Sequence, residues 1–419
     1  MRCVGSEELH YTPDLPAAAA PAVTIIRRLR EAGHAALLNG GCVRDLLLGG
    51  EPNDYDVATD ATPERVCEVF RVTRRVGAQF GVVLVRVNHC WIEVATFRSD
   101  GDYSDGRRPD RVTYTDARHD ARRRDFTINA MFLDPLDRRI IDYVDGRADL
   151  DARLIRAVGE PARRFAEDHL RLLRAIRFAA RLGFDIEPNT LAAICEHAAK
   201  LVNVASERVR EELEKMLTHR TRRGAFQLLR ETDLLRFLWP DAEWSERQIA
   251  AADVLLSRLP QAASFLAAFA ALLLDRGGHE VERICGALTC SNDRRRSVVW
   301  LVEHACDLDE PASIDLAGLK RLLAHAAFGD LRTLIEARFR GMSDGARRMH
   351  SLEERIAAIA PQRIAPPPWV TGQDLIARGV PAGPRYKEIL HALYTRQLDE
   401  ALNSRDAALA ALDELLASM

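Results

Sequence analysis

The sequence is poor in lysine, in aromatic residues and in long apolar runs. Arginine carries nearly all of its positive charge, because the 59 basic residues include only four lysines, Lys200, Lys215, Lys320 and Lys387. Guanidinium groups suit bidentate contacts with phosphates, although a coding bias best explains such an excess over a whole chain. The longest apolar run, residues 265–274, is ten residues long. A membrane-spanning helix needs roughly 20 apolar residues, so none is predicted.

The sequence also predicts neither a secretory leader nor a cysteine framework. Acidic residues and three prolines interrupt the first 21 residues, where a leader would need a basic start and an unbroken apolar core. The eight cysteines are irregularly spaced, and the closest pair, Cys285 and Cys290, fits no zinc or redox signature. We therefore expect a cytoplasmic protein with reduced thiols, no structural metal and no membrane partner.

Charge and length place the chain among globular, multidomain proteins. The formal net charge of −3 argues against a uniformly basic nucleic-acid-binding surface, but it allows a local basic patch. With 419 residues, of which 47% are hydrophobic, the chain can bury several cores, so general disorder is excluded. At roughly 100–200 residues per domain, we expect two to four domains. The sequence does not indicate the oligomeric state.

The first 150 or so residues are typical of a mixed α/β region. Short β-branched or apolar runs predict strands, and Thr62 opens a helix over 63–70. Residues 100–109 are polar and glycine-rich, which predicts a mobile loop. Asn88 and His89 are expected to join two of the strands in a hairpin. The predicted strands are residues 37–41, 57–59, 82–87, 91–97 and 139–143.

From residue 160 onward the pattern changes to long helices rich in Ala, Leu and Arg. Residues 161–182 are predicted to form one helix with an apolar stripe opposite four arginines, Arg171, Arg174, Arg177 and Arg181. Two interpretations of that arginine face stay open. It is either a solvated face with ion pairs between neighbouring turns, or a face that binds an anion or a base edge, since few acidic residues accompany it.

The strongest chemical signal lies in residues 40–59. Gly40 and Gly41 follow a predicted strand, so the backbone there can approach a phosphate. Asp54 and Asp56 are two residues apart, which on a strand places both carboxylates on one face, roughly 6–7 Å apart. Such a pair can hold two Mg²⁺ ions for in-line phosphoryl or nucleotidyl transfer. No dinucleotide fingerprint and no phosphate-binding loop of the G-x-x-x-x-G-K-[ST] type is present.

These residues resemble the class II tRNA nucleotidyltransferase and bacterial poly(A) polymerase superfamily. The resemblance is strong over about residues 25–217 and looser beyond. The segments that carry it, in chain order, are 40–59 (GGCVRDLLLGGEPNDYDVAT), 123–130 (RRDFTINA), 142–150, 164–178 (RFAEDHLRLLRAIRF), 206–217, 371–375 and 383–384.

The resemblance implies an α+β fold, with a small nucleotidyltransferase head built on a mixed β-sheet and followed by all-α domains. It implies a catalytic head over 22–155, a helical neck for nucleotide selection over 156–217, a helical body over 218–360 and a helical tail that contacts tRNA over 361–419. The implied activity is CCA addition. CMP and AMP would be transferred from CTP and ATP to the 3′ end of tRNA, and the acceptor arm would be the main partner.

The resemblance also assigns candidate site residues. Asp54 and Asp56 would be catalytic and hold Mg²⁺. Asp168 and Arg171 would hydrogen-bond the Watson–Crick edge of the incoming base, because a carboxylate accepts from the amino group that cytosine and adenine share. The nucleotide's phosphates or sugar would be contacted by Gly41, Arg44, Arg124, Arg174 and Arg177.

Several alternatives remain open from sequence. A poly(A) polymerase, or an enzyme that adds only CC or only the terminal A, carries the same motifs. The segment 100–109, which resembles the loop associated with CCA addition, weighs against a poly(A) polymerase and against a CC-only enzyme. It does not weigh against an enzyme that adds only the terminal A. A catalytically silent RNA-binding protein is the alternative from another class. Glu93 is either a third carboxylate or an ordinary exposed strand residue, and the dipeptide His119-Asp120 is interpreted as coincidence.

Overall fold

The computed structural model describes residues 10–76, 81–101, 111–239, 242–381 and 383–417. The chain divides into two units. The first comprises the residues up to Met216 together with Gly224–Glu243, and the second comprises Leu217–Arg223 and Trp244–Met419. Of the predicted loop over 100–109, the structure describes only Asp100, the last residue of a short strand, and Gly101; the rest lies outside the described residues.

The first unit contains a seven-stranded mixed sheet. Its order is β3-β4-β5-β2-β1-β8-β9, and the strands predicted from sequence are confirmed as β1, β2, β4, β5 and β9. Asn88 and His89 have positive φ values of 49° and 65° and close the predicted β4–β5 hairpin. The strands are β1 (Ala36–Asn39), β2 (Asp56–Thr59), β3 (Thr73–Arg74), β4 (Val82–Val87), β5 (Cys90–Thr96), β6 (Arg98–Asp100), β7 (Val112–Tyr114), β8 (Phe132–Asp134), β9 (Arg139–Ile141), β10 (Leu154–Ile155) and β11 (Asp185–Ile186).

The central strands bring acidic residues from distant parts of the sequence together. In the antiparallel β1–β2 pair, Asp56 lies opposite Asn39. In the parallel β2–β5 pair, Val57 lies opposite Val94. Paired residues on neighbouring strands point to the same side of a sheet. Asp56 directly precedes Val57 and Glu93 directly precedes Val94, so Asp56, at the start of β2, and Glu93, in the middle of β5, are neighbours on adjacent strands.

Helices of the first unit cover the sheet and extend beyond it. The first of them buries Ile25, Ile26 and Leu29. Thr62 caps the third as predicted, since its hydroxyl accepts from the backbone N–H of Arg65. These helices are α1 (Ala20–Glu31), α2 (Gly41–Leu47), α3 (Pro63–Val69), α4 (Ala117–Arg122), α5 (Gly146–Asp151), α6 (Pro161–Glu167), α7 (Leu170–Leu182), α8 (Pro188–His197), α9 (Ser206–Leu217), α10 (Arg222–Glu231) and α11 (Leu234–Leu238).

The prediction of a single helix over 161–182 is wrong. The chain forms α6 and α7 instead, separated at Asp168, whose backbone is extended (φ −150°, ψ 104°). The interruption is stabilised locally because the Asp168 carboxylate accepts from the backbone N–H of Leu170 at 3.1 Å. This contact joins the aspartate side chain to the backbone N–H two residues further on, a local hydrogen bond that competes with continuation of a helix. Periodicity alone did not reveal it, because the apolar pattern continues through the break.

The second unit is helical within its described residues. Its most apolar helix, α13, is the longest apolar run of the sequence and is buried on nearly all sides, packing against α12, α15 and α17. None of the helices in the described ranges combines the length and the apolar character that crossing a bilayer requires. The helices are α12 (Glu246–Arg258), α13 (Phe265–Leu273), α14 (Gly278–Ala287), α15 (Asn292–His304), α16 (Leu316–Ala324), α17 (Phe328–Phe339), α18 (Gly345–Ala357), α19 (Gly372–Ala377), α20 (Pro384–Leu398) and α21 (Arg405–Ala417).

A separate apolar cluster in the second unit joins its last three helices. Leu375 of α19, Ile389 and Leu393 of α20, and Leu412 of α21 are buried together there. This cluster packs the last three helices against one another. The division into head, neck, body and tail stays a prediction.

Candidate active site

Two neighbouring cavities in the first unit contain nearly all of the residues singled out from sequence. One, of about 670 Å³, is lined by the glycine turn, Arg44 and the aspartate pair. The other, of about 410 Å³, is lined by Asp168 and Arg171. The two cavities share the wall formed by Asn39, Asp56, Glu93, Arg124, Asp125 and Arg174. We call the first the carboxylate cavity and the second the selection cavity.

The glycine turn between β1 and α2 forms one edge of the carboxylate cavity. Gly40 has φ +72°, and a Cβ atom there would lie 3.2 Å from Nη1 of Arg124. The position thus favours glycine both for its backbone conformation and for space. Arg44, one turn into α2, donates to the Asn129 side-chain oxygen at 2.6 Å and to Asp45 at 2.8 Å. Its guanidinium is therefore fixed in place beside the turn.

The two aspartates predicted to be catalytic line the same cavity, although only one belongs to the strand. Asp56 is the first residue of β2, whereas Asp54 precedes the strand and is exposed. The expectation that both share one strand face is corrected in this respect. Burial, reinforced by the charges of Glu93 and Asp54, raises the pKa of Asp56 from 3.8 to about 6, against an opposing effect of Arg124.

These carboxylates suit a divalent cation. Burial also raises the pKa of Glu93, so the cavity concentrates acidic groups that repel one another. Hard cations such as Mg²⁺ prefer carboxylate oxygens and are commonly held by one or two of them, with water and substrate phosphates completing the shell. The described residues offer no ready-made cluster of three or more ligating side chains.

Arg124 is held where the two cavities meet. It donates to Asp120 through Nε at 3.1 Å and through Nη2 at 2.8 Å, and Nη2 also donates to the Asn39 side chain at 2.9 Å. The adjacent carboxylate of Asp125 pairs with Arg174 instead. Asp120 is 1% exposed and also accepts from Arg123. The second residue of the His119-Asp120 dipeptide thus orients two arginines.

Asp168 and Arg171 both line the selection cavity, but each has a different ionic partner. Asp168 accepts from Arg208 of α9 at 2.8 and 3.0 Å. Arg171 donates to Glu167 at 2.7 Å and to the backbone carbonyl of Arg164 at 2.8 Å. With 8% of its surface exposed, Arg171 does not lie on a solvated face. Asp168 and Arg171 therefore do not pair with each other.

Arg174 and Arg177 extend the basic wall from α7. Arg174 donates to Asp125 through Nε and Nη2 at 2.9 and 2.6 Å. Burial alone would raise the pKa of Asp125, but Arg174 and the backbone N–H of Phe126 lower it to about 2. Arg177 is 7% exposed and donates to Glu212 at 2.5 Å. A solvated arginine face is therefore excluded at this position too.

An aromatic ring supports the same wall. The guanidinium carbon of Arg177 lies 4.1 Å from the centroid of the Phe178 ring, and those of Arg44 and Arg174 lie 5.2 and 5.4 Å from it. Guanidinium groups stack favourably on aromatic faces. Phe178 therefore helps to hold three of the predicted nucleotide-binding arginines close together.

Sequence reasoning missed the acidic and amide residues that position these arginines. Asp125 and Glu212 lie inside segments that carry the family resemblance, so a signal was available, but no role followed from spacing alone. Their partners are 49 and 35 residues away along the chain. The positioning residues that were missed are Asn39, Asp120, Asp125, Asn129, Glu167, Phe178, Arg208 and Glu212.

Cys42, in the turn between the glycines and Arg44, plays a packing role. Its side chain is 3% exposed, and burial raises the pKa of the thiol to about 11. A thiol that stays protonated at neutral pH is a poor nucleophile.

A mixed-sheet head with paired acidic residues, a glycine turn and a helical extension defines a nucleotidyltransferase of the poly(A) polymerase type. Residues 36–156 match the family described as "Poly A polymerase head domain", and residues 183–244 match "Probable RNA and SrmB- binding site of polymerase A". The family resemblance and the fold class expected from sequence are confirmed.

The chain is similar over most of its length to proteins named CCA-adding enzyme. One from Geobacillus stearothermophilus is 36% identical over 380 residues, which cover 89% of this chain and 91% of that protein. Another, from Lactobacillus gasseri, is 33% identical and covers 94% and 97%, respectively. The crystal structure of the Bacillus stearothermophilus CCA-adding enzyme in complex with CTP matches with a TM-score of 0.80 at 31% identity, covering 96% of this chain and 99% of that one. The chain belongs to the CCA-adding enzyme family, a class of divalent-metal-dependent nucleotidyltransferases.

Proposed function

We propose that this protein adds CCA to the 3′ end of tRNA, using CTP and ATP and releasing pyrophosphate. The observation that carries the proposal is the adjacency of the carboxylate cavity and the selection cavity, which share one wall. In each cycle the tRNA 3′-hydroxyl oxygen forms a bond to the α-phosphorus, and the bond from that phosphorus to the pyrophosphate oxygen breaks. Relatives named for CCA addition over nearly the whole chain support this activity.

Asp54 and Asp56 are proposed to hold Mg²⁺, with Glu93 as an additional carboxylate nearby. The bound ion would lower the pKa of the attacking hydroxyl and stabilise charge on the α-phosphate. The protein's own contribution is a fixed cluster of acidic groups beside a fixed wall of guanidinium groups. Nucleotidyl transfer of this kind depends mainly on positioning and electrostatic stabilisation, so no covalent nucleophile is required.

Gly41, Arg44, Arg124, Arg174 and Arg177 are proposed to contact the phosphates or sugar of the nucleotide. The four arginines already have acidic or amide partners, so little side-chain entropy is lost when the nucleotide binds. Each of them keeps N–H groups beyond those used in its ion pair, because a guanidinium has five.

Asp168 and Arg171 are proposed to read the base. Arg171 uses three of its five N–H groups on Glu167, the Arg164 carbonyl and, at 3.4 Å, the Arg123 carbonyl. Two N–H groups have no partner among the described residues and can donate to the ring acceptors of cytosine or adenine. Guanine and uracil would leave buried polar groups unpaired, and such mismatches are strongly disfavoured.

The helical regions are proposed to bind the acceptor arm of tRNA, mainly through its phosphates. Such contacts fix the register of the RNA without reading its sequence. We propose the division into a head over 22–155, a neck over 156–217, a body over 218–360 and a tail over 361–419, with the tail contacting tRNA. We also propose a cytoplasmic location, where tRNA and both nucleotides are present.

The decisive experiment measures the sequence and length of the products. Radiolabelled CTP and ATP are offered with three tRNAs, ending at the discriminator base, at C and at CC. CCA addition restores the same end on all three and then stops. Growing A tracts would indicate a poly(A) polymerase, whereas extension of only some substrates would indicate a CC-only or an A-only enzyme. Binding without metal-dependent incorporation would indicate a silent RNA-binding protein.

A further inference from the structure

The sheet of the first unit has a face that continues beyond the two cavities. Along β4 and β5, buried residues alternate with exposed or partly exposed ones. Since successive side chains of a strand point to opposite sides of the sheet, every second residue of these strands lies on an open face. Glu93, which lines both cavities, is on that face. The open face therefore extends from the cavities towards β3, the strand at the edge of the sheet.

Strand pairing places two arginines and a tryptophan on this open face. Arg74 of β3 lies opposite Leu84 of β4, which in turn lies opposite Glu93 of β5. Neighbouring strands are about 4.8 Å apart, so the backbones of Arg74 and Glu93 are about 10 Å apart. In the next row across the sheet, Arg86 of β4 lies opposite Trp91 of β5. All of these residues share one face, because directly paired residues point to the same side.

Trp91 holds the two arginines close together. The guanidinium carbon of Arg74 lies 4.5 Å from the centroid of the Trp91 ring, and that of Arg86 lies 5.9 Å from it. A cation is attracted to the face of an indole ring, and a guanidinium in this position keeps its N–H groups for hydrogen bonds with a further partner. We call Arg74, Arg86 and Trp91 the arginine–tryptophan patch.

The two arginines of the patch have no acidic partner in the described part of the chain. The four arginines proposed to contact the nucleotide all have acidic or amide partners. Arg74 and Arg86, by contrast, are exposed, and their guanidinium groups form neither an ion pair nor a hydrogen bond with any described residue. Two adjacent positive charges without a partner in the chain fit an anion that comes from outside it.

The position of the patch distinguishes between the possible anions. Arg124 donates to Asn39 of β1, so the arginine wall of the cavities lies on one side of Asp56 and Glu93. Arg74 lies on β3, on the other side of these two carboxylates. In phosphoryl transfer, the attacking and leaving oxygens are roughly in line on opposite sides of the phosphorus. A wall that binds the triphosphate therefore leaves the opposite side, with the patch, to the attacking strand.

We infer that the arginine–tryptophan patch binds a backbone phosphate of the tRNA strand whose 3′-hydroxyl attacks the nucleotide. This inference rests on the proposed function. A guanidinium donates to phosphate oxygens with good geometry, and phosphate contacts fix the register of RNA without reading its sequence. Such a contact suits a strand whose last nucleotide changes at each step of addition.

The test measures how the salt concentration affects the binding of tRNA without its CCA end. The full-length wild type is compared with Arg74→Gln, Arg86→Gln and the double variant. The double variant should bind tRNA about 3–10-fold more weakly, the effect of losing partly exposed charged hydrogen bonds. The slope of log affinity against log salt concentration should become shallower by about 0.7, the value for one phosphate of a single strand. The KM for tRNA should rise in parallel, with the KM for CTP unchanged.

Two further variants separate the patch from a general effect of charge or folding. Arg65→Gln removes the same charge from an exposed arginine of α3 that pairs with Glu68 at 2.7 Å, and it should match the wild type. Trp91→Phe should bind tRNA more tightly than Trp91→Ala, because a phenyl ring still attracts the guanidinium groups. Thermal unfolding checks that each variant is folded, and the single arginine variants serve as the test if the double variant is not.

A minihelix that contains only the acceptor stem and the 3′ end of the tRNA should show the same loss of affinity. Wild-type affinity and salt dependence in the double variant would overturn the inference. A loss seen with whole tRNA but not with the minihelix would also overturn it, since the contact would then lie away from the reacting strand. So would an increase in the KM for CTP alone, which would assign the patch to the incoming nucleotide. Failure of the wild type itself to incorporate nucleotides would instead refute the proposed function.

Discussion

Replacing Asp56 with asparagine is expected to stabilise the metal-free protein while abolishing nucleotide transfer. The pKa of Asp56 rises from 3.8 to about 6 on folding because of burial and of the neighbouring charges on Glu93 and Asp54. The folded state therefore binds this proton more tightly than the unfolded state does. Below about pH 4 both states are protonated and no penalty exists, whereas above about pH 6 both are ionised and the folded state carries the full penalty.

The magnitude follows from the size of the shift. A difference of about two pKa units corresponds to about 3 kcal/mol. Linkage gives a penalty of about 3 kcal/mol near pH 7.5 and about 1.5 kcal/mol near pH 5. Since asparagine does not ionise, the stability of Asp56→Asn relative to the wild type should increase by about 1.5 kcal/mol between about pH 5 and pH 7.5.

Denaturant unfolding in the presence of EDTA at the two pH values measures this difference. Asp151→Asn is a suitable control, because Asp151 is 61% exposed and pairs with Arg147 on the surface. Its effect should stay within about 1 kcal/mol at both pH values. Added Mg²⁺ should stabilise the wild type more than Asp56→Asn, since the variant lacks one proposed ligand. An equal stability difference at both pH values would refute the argument that Asp56 is buried among like charges.

Three further predictions test the remaining parts of the site. Arg171→Ala should lower CTP incorporation roughly 10–150-fold, the effect of losing a charged hydrogen bond, and should weaken selection against UTP and GTP in competition assays. Asp168→Ala should do the same and Asp168→Glu should not restore selection, whereas unchanged discrimination would place base reading elsewhere. Deleting residues 101–107 should impair addition of the terminal A more than addition of C in single-nucleotide assays, and an equal loss of both would contradict the role implied for that segment. Gly40→Ala should destabilise the protein by about 1–3 kcal/mol and displace Arg124, which unfolding and incorporation assays would detect; a stable, active variant would contradict this.

The pH dependence of metal binding connects the stability prediction with catalysis. A cation that binds the ionised form of Asp56 competes with its proton, so its affinity should fall as the pH decreases below about 6. Isothermal titration in buffers of different ionisation enthalpy would detect proton release on metal binding in that range. Binding independent of pH between about 5 and 7 would place the metal away from Asp56.

Short-range patterns in the sequence were enough to predict the local chemistry of the head. Asp54 and Asp56 two residues apart, the Gly40-Gly41 turn and the alternating strands around Val82–Val87 are short-range patterns, and short-range patterns follow from backbone geometry and side-chain type. Together with ordered motifs of family character, they predicted the mixed-sheet head and the residues that line its cavities.

The way in which those residues are held depends on contacts between distant parts of the chain. The periodicity of residues 161–182 predicts one helix, but the chain leaves the helical conformation at Asp168, where the side chain hydrogen-bonds to the backbone. The spacing of apolar residues cannot predict such a hydrogen bond. The arginine face of α7 looked unpartnered because its acidic partners come from other elements, such as Asp125 and Glu212. Glu93 could not be assigned from its own strand, since the parallel pairing of β2 with β5 places it beside Asp56. Ion pairs and strand pairings join residues that are far apart in the chain, so they follow from the packing of whole elements and not from local spacing.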